Sequence, residues 1–240
     1  MHRRSFLHAT GKCAAAAAVL PATLLAQQTT GQEQHEQDDD VSTNEGLMRE
    51  HGILKRVLLI YDEVIRRIDA KQDFPPQTVI DSAQIIRKFI EDYHEKLEEE
   101  HIFPLFRKYF LRQDVLRLYA QKLVDLVDIL HEQHQAGRRL TDRIVSTLQS
   151  LKTSDDRQKL AQDLRAYIRM YAPHEAREDT VLFPALRIIV TRQEYKALGE
   201  KFEETEHKTF GGDGFDIYLD QVTAFEKRLG IYDLAQFTPK

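Results

Sequence analysis

Apolar residues recur every three to four positions from residue 44 to residue 229. In the first stretch, Leu47, Leu54, Leu58, Tyr61, Ile65 and Ile68 line one face and predict a helix over 44–69. Pro75-Pro76 ends it. A second helix is predicted over 77–110, with Ile86, Phe89, Ile90 and Leu97 on one side. A third covers 114–150 through Leu123, Val127, Leu130, Ile144 and Leu148. The polar break Lys152-Thr-Ser-Asp-Asp156 offers Ser154 or Asp155 as the N-cap of a fourth, over 156–190. Shorter helices are predicted over 191–209 and 215–229, split by Gly211-Gly212-Asp213-Gly214. The acids there lack EF-hand spacing, so this is a helix break. No segment alternates in the manner of a half-buried strand. Long amphipathic helices with short connections predict an all-α, up-down-up-down four-helix bundle over 44–190, with a C-terminal helical extension over 191–240.

The ends of the chain differ in character. Residues 1–26 carry Arg3, Arg4 and Lys12, no acid, then an Ala-rich apolar run, and small residues near Ala26. That is the pattern of an export signal, and it is too short for a stable membrane span. Residues 27–43 are polar and acidic and predict a disordered spacer, in which His35 is solvated. Removing 1–26 takes the net charge from −5 to −8 and removes Cys13, the only cysteine. Disulfides and thiolate chemistry are thereby excluded from the remainder. No basic stripe supports a nucleic-acid partner.

The chemistry lies in an internal repeat. Residues 94–106 (HEKLEEEHIFPLF) align without gaps on residues 174–186 (HEAREDTVLFPAL). Each repeat is preceded by a further histidine: His51 lies 43 residues before His94, and His134 lies 40 before His174. Positions four apart share a helix face, so His94 faces with Glu98 and His174 with Glu178. His51 is four after Leu47, His134 four after Leu130, His94 four after Ile90 and His174 four after Met170. Six ionisable side chains thus project from apolar faces. Burying carboxylates costs several kcal/mol each unless a positive partner compensates, and a pair of metal ions supplies it. Imidazole with carboxylate suits iron, with manganese or zinc as alternatives. Glu95, Glu99, Glu100, Glu175 and Asp179 point away from the stripe and are expected on a solvated face. Tyr93, Tyr167 and Tyr171 lie within a turn or two of the six and are expected to pack around them.

The order His51, then His94/Glu98, His134 and His174/Glu178, each His-x-x-x-Glu followed by Phe-Pro (103–104 and 183–184), resembles the hemerythrin-like (HHE) domains over residues 44–190. The resemblance implies two non-haem irons, bridged by Glu98 and Glu178, with positions open to a diatomic ligand, O2 or NO. It departs on the third helix. Oxygen carriers hold another histidine four positions from the first, where this chain has Leu130 and Arg138, with His131 only three away. His101 and His207 also stand outside the set. The same ligands would serve an oxidoreductase turning over O2, peroxide or NO, because surrounding groups and electron supply separate binding from turnover. A metal-free helical interaction module is the third reading. Arg3-Arg4-Ser5-Phe6-Leu7 resembles the twin-arginine signal, which implies export of the folded protein to a bacterial periplasm.

Overall fold

The computed structural model describes residues 41–112 and 116–239. The predicted signal at 1–26 and most of the spacer lie outside the described residues. Among the described residues every regular element is helical.

α1 (Thr43–Asp69) starts at Ser42, whose hydroxyl accepts from the Glu45 amide. Its buried stripe runs from Leu47 to Ile68 and includes His51. The second rod is a succession of pieces: α2 (Pro76–Ile85), a π-helical stretch Ile86–His94, α3 (Glu95–Leu97), a second π-helical stretch Glu98–Ile102, and α4 (Phe103–Phe110). α5 (Arg117–Gln149) is one long helix. α6 (Ser154–Arg177) runs into a π-helical stretch Glu178–Leu182 and then α7 (Phe183–Ile189). Its N-cap is Thr153, one residue before the predicted position, because Thr153 and Asp156 close a reciprocal capping box.

The two shorter π-helical turns, Glu98–Ile102 and Glu178–Leu182, have a local cause. Proline has no N–H to give the carbonyl four residues back, and its ring crowds that carbonyl. Pro104 and Pro184 occupy equivalent repeat positions, and just before each the helix widens. The Phe103 and Phe183 amides donate to the carbonyls of Glu98 and Glu178, five residues back. Such turns occur often at functional sites. Here both begin on a glutamate of the predicted metal set.

α1 packs against the second rod and α6, and α5 packs against the second rod and α6, so the four rods enclose a shared core. Phe89, Phe103, Phe106, Phe183, Tyr61, Tyr167 and Tyr171 are buried there. α8 (Arg192–Phe210) and α9 (Gly214–Leu229) follow. They meet at Gly211, whose φ of 74° is left-handed and favours glycine. Both pack against α1, and Phe210 and Tyr218 close over Phe89. Arg56 holds α9 through its ion pair with Glu226. No described helix is long and apolar enough to cross a membrane.

Candidate metal centre

The structure brings the six predicted side chains to one place in the core. His51, His94, Glu98, His134, His174 and Glu178 are each 3% exposed or less, and come from all four rods. They form two clusters whose ligand atoms lie within 4.8 Å of one another: His51, His94 and Glu98, and His134, His174 and Glu178. Within the first pair, the Nε2 atoms of His51 and His94 stand 3.0 Å apart. In the second, the rings of His134 and His174 lie 5.0 Å apart.

Each glutamate stands between the pairs. Glu98 Oε2 is 3.8 Å from His94 Nε2 and 3.4 Å from His134 Nε2. Glu178 Oε2 is 3.3 Å from His51 Nε2, while its Oε1 is 3.1 Å from His174 Nε2. All four carboxylate oxygens, and His134 Nε2, lack a well-aligned hydrogen-bond partner among the described residues. Unpaired buried polar atoms are costly and uncommon. Atoms of this type, facing inward from opposite sides, are what cations would satisfy. The residues present therefore fit a metal centre.

The electrostatics point the same way. Burial and then the charge of Glu178 push the Glu98 carboxyl well above its ordinary range. Burial works against ionised Glu178 too, but the His174 and His51 rings pull it well below that range. Without a cation, two facing carboxylates share the site by one holding a proton. Burial opposes charge on His51, yet Asp179 and Glu178 more than offset it and push the ring up to about 9.

Each of these four histidines is held from behind. The Nδ1 atoms of His51, His94, His134 and His174 face Asp179 at 2.7 Å, Glu50 at 2.5 Å, Glu99 at 3.1 Å and Gln133 at 2.9 Å. Such partners fix ring orientation and leave Nε2 to face the site. Phe183 and Phe103 stack on His51 and His134, each at 5.5 Å between ring centres. Here the sequence expectation of a solvated face holds for Glu100 and fails for the other four acids. Glu95 and Glu175 are buried, and Glu99 and Asp179 tuck behind His134 and His51. Arg138 lies 2.8 Å from both Glu95 and Glu99, which lets those acids sit inside. The missed signal is the cation one turn after each first-helix histidine, Lys55 and Arg138, which meets the acids of the neighbouring rod.

Among the described residues, the histidines outside the set stay outside it. His207 is exposed, and His101 and His131 are half-buried. His101 lies beside Phe202, and His131 is 6.5 Å from the Phe103 ring. Tyr171 is 5.3 Å from the His174 ring, and Tyr93 donates to Glu50.

Uncharacterized protein Rv1995 of Mycobacterium tuberculosis and uncharacterized protein Mb2018 of Mycobacterium bovis are each 50% identical to this chain over 206 residues, 85% of this chain and 76% of theirs. The chain belongs to the same family as these mycobacterial proteins. Residues 125–230 match the model of the hemerythrin HHE cation binding domain. The matched span starts within α5 and ends after α9. It holds His134, His174 and Glu178, while His51, His94 and Glu98 precede it. The motif resemblance over 44–190 and the matched span share the second repeat, where α5 and α6 carry their half of the cluster. No solved structure matches the chain.

Proposed function

We propose that this is an exported, hemerythrin-like protein that binds two non-haem irons in an up-down-up-down four-helix bundle, and through them binds O2 or NO, or senses or holds iron. The observation that carries this is the placement of Glu98 and Glu178. Each is fully buried, has unpaired oxygens, and lies between one histidine of each pair. Two carboxylates spanning two histidine pairs suit two cations better than one. His51 and His94 would serve one ion, His134 and His174 the other, and the glutamates both.

Bound iron would supply open coordination positions and redox chemistry for a diatomic ligand. The chain supplies the rest. Asp179, Glu50, Glu99 and Gln133 orient the rings, Phe103 and Phe183 fix two of them by stacking, and the aromatic core excludes water. Imidazole and carboxylate donors with no thiolate favour iron, manganese or zinc over softer ions. Export rests on residues 1–26, and the domain division on the helical pattern of 44–190 and 191–240.

The test is the electronic spectrum of the full chain, reconstituted with iron(II) without oxygen and then exposed to air or NO. A near-ultraviolet absorption that appears with gas and disappears when the gas is removed supports ligand binding. A spectrum unchanged by either gas contradicts it.

A further inference from the structure

The two repeats place matched groups around the site. Lys55 and Arg138 stand at equivalent positions, four after His51 and His134, and pair with equivalent acids, Glu175 with Asp179 and Glu95 with Glu99. Phe103 and Phe183 stack on equivalent histidines. Asp179 and Glu99, each one residue after a site glutamate, back His51 and His134.

One matched pair differs in charge. Glu50 precedes His51 and backs His94. Gln133 precedes His134 and backs His174. A carboxylate behind an imidazole adds negative charge and makes the far nitrogen a stronger donor. An amide oxygen fixes the ring with a dipole alone. Among the described residues, His174 is thus the one of the four histidines without an acid behind it. The two partners also differ in exposure. Glu50 is 6% exposed, whereas Gln133 is half-buried and lines an open groove of about 860 Å³ with Arg107, Asp128, His131, Glu132 and Arg139. The residue that makes His174 the weaker donor therefore also stands between that ring and solvent.

We infer that Gln133 makes the two halves of the centre unequal: the His51/His94 half grips its divalent cation, and the His134/His174 half releases and exchanges its own on the groove side. This rests on the two-cation reading above. Partners in this position change metal affinity about 10–100-fold, which sets the scale of the expected difference.

The experiment titrates metal-free full chain with Co2+ alone, read by calorimetry and visible absorption. The wild type is expected to load in two steps whose affinities differ by about 10–100-fold. Gln133→Glu should tighten the second step and leave the first in place. Glu50→Gln should weaken the first and leave the second in place. Gln133→Met removes the acceptor at similar volume and should weaken the second step further, so an answer survives if the added carboxylate disturbs folding. Two equal steps, or a gap that none of the folded variants moves, overturn the inequality and leave two-cation binding standing. Failure to retain any Co2+ overturns both.

Discussion

Tyr171 donates its hydroxyl to Glu95 at 2.6 Å, tying the fourth rod to the second directly behind the site. The ring fits only because residue 137 on α5 is glycine: a Cβ there would lie 2.0 Å from the Tyr171 oxygen. Glycine inside a helix costs about 1 kcal/mol relative to alanine, so this position sacrifices helix stability for close packing.

Gly137→Ala should therefore destabilise the protein by about 1–3 kcal/mol despite its better helix propensity, because Tyr171 must move. Gly46→Ala, where nothing lies within 4 Å, should be neutral or stabilising by up to about 1 kcal/mol. Urea denaturation of the two variants checks the contrast. Equal gains in both would show that Gly137 is not a packing requirement.

Arg138 and Lys55 match by repeat but not by environment. The Arg138 side chain is 16% exposed and Lys55 is 49% exposed. Removing a buried partner strands its acids, so Arg138→Met should cost about 3–5 kcal/mol. Lys55→Met should cost less than about 1 kcal/mol. Thermal unfolding of each variant measures the difference.

The metal-free protein should lose stability as pH rises. Burial pushes Glu91 up to about 7, even though Thr141 hydrogen-bonds it and Arg87 lies near. Its folded form binds a proton where the unfolded chain has lost it, so folding weakens as pH rises from about 4.5 to about 7. His51, raised to about 9, contributes stability in full below its ordinary 6.5, and that contribution fades as pH climbs through about 9. Glu99 and Asp179, held below their ordinary range against burial by their histidine and cationic neighbours, act oppositely and only at acid pH. Denaturation at pH 5 and pH 8 should show the protein more stable at pH 5, and Glu91→Gln should flatten the dependence. A rise in stability toward pH 8 would contradict these assignments.

The sequence made the site's inner residues readable and its surroundings less so. His51, His94, Glu98, His134, His174 and Glu178 each lie on an apolar stripe at helical spacing, so periodicity alone placed them inward. The all-helical character followed from the same pattern. Glu99 and Asp179 depart from the expected solvated face because helical phase puts them beside the stripe, and phase does not tell a solvated flank from one covered by the next rod. Thr153 was missed as a cap because the reciprocal bond with Asp156 outweighs the local choice of Ser154 or Asp155. The widened turns before Pro104 and Pro184 do not follow from proline alone, since Pro173 stands inside α6 without one. The docking of α8 and α9 on α1 depends on long-range contacts that no local pattern encodes.

Glu98→Ala and Glu178→Ala should each leave the chain unable to keep two irons, because each removes a carboxylate that faces both histidine pairs. His101→Ala, which belongs to neither cluster, should change iron content little. Full loading in either glutamate variant would refute the bridging assignment.

The most direct measurement is iron content per chain, by atomic emission, for full-length protein made in iron-replete cells and purified without chelator. About two irons per chain are expected. Fewer than about one, with the helices intact by circular dichroism, would contradict the two-iron reading.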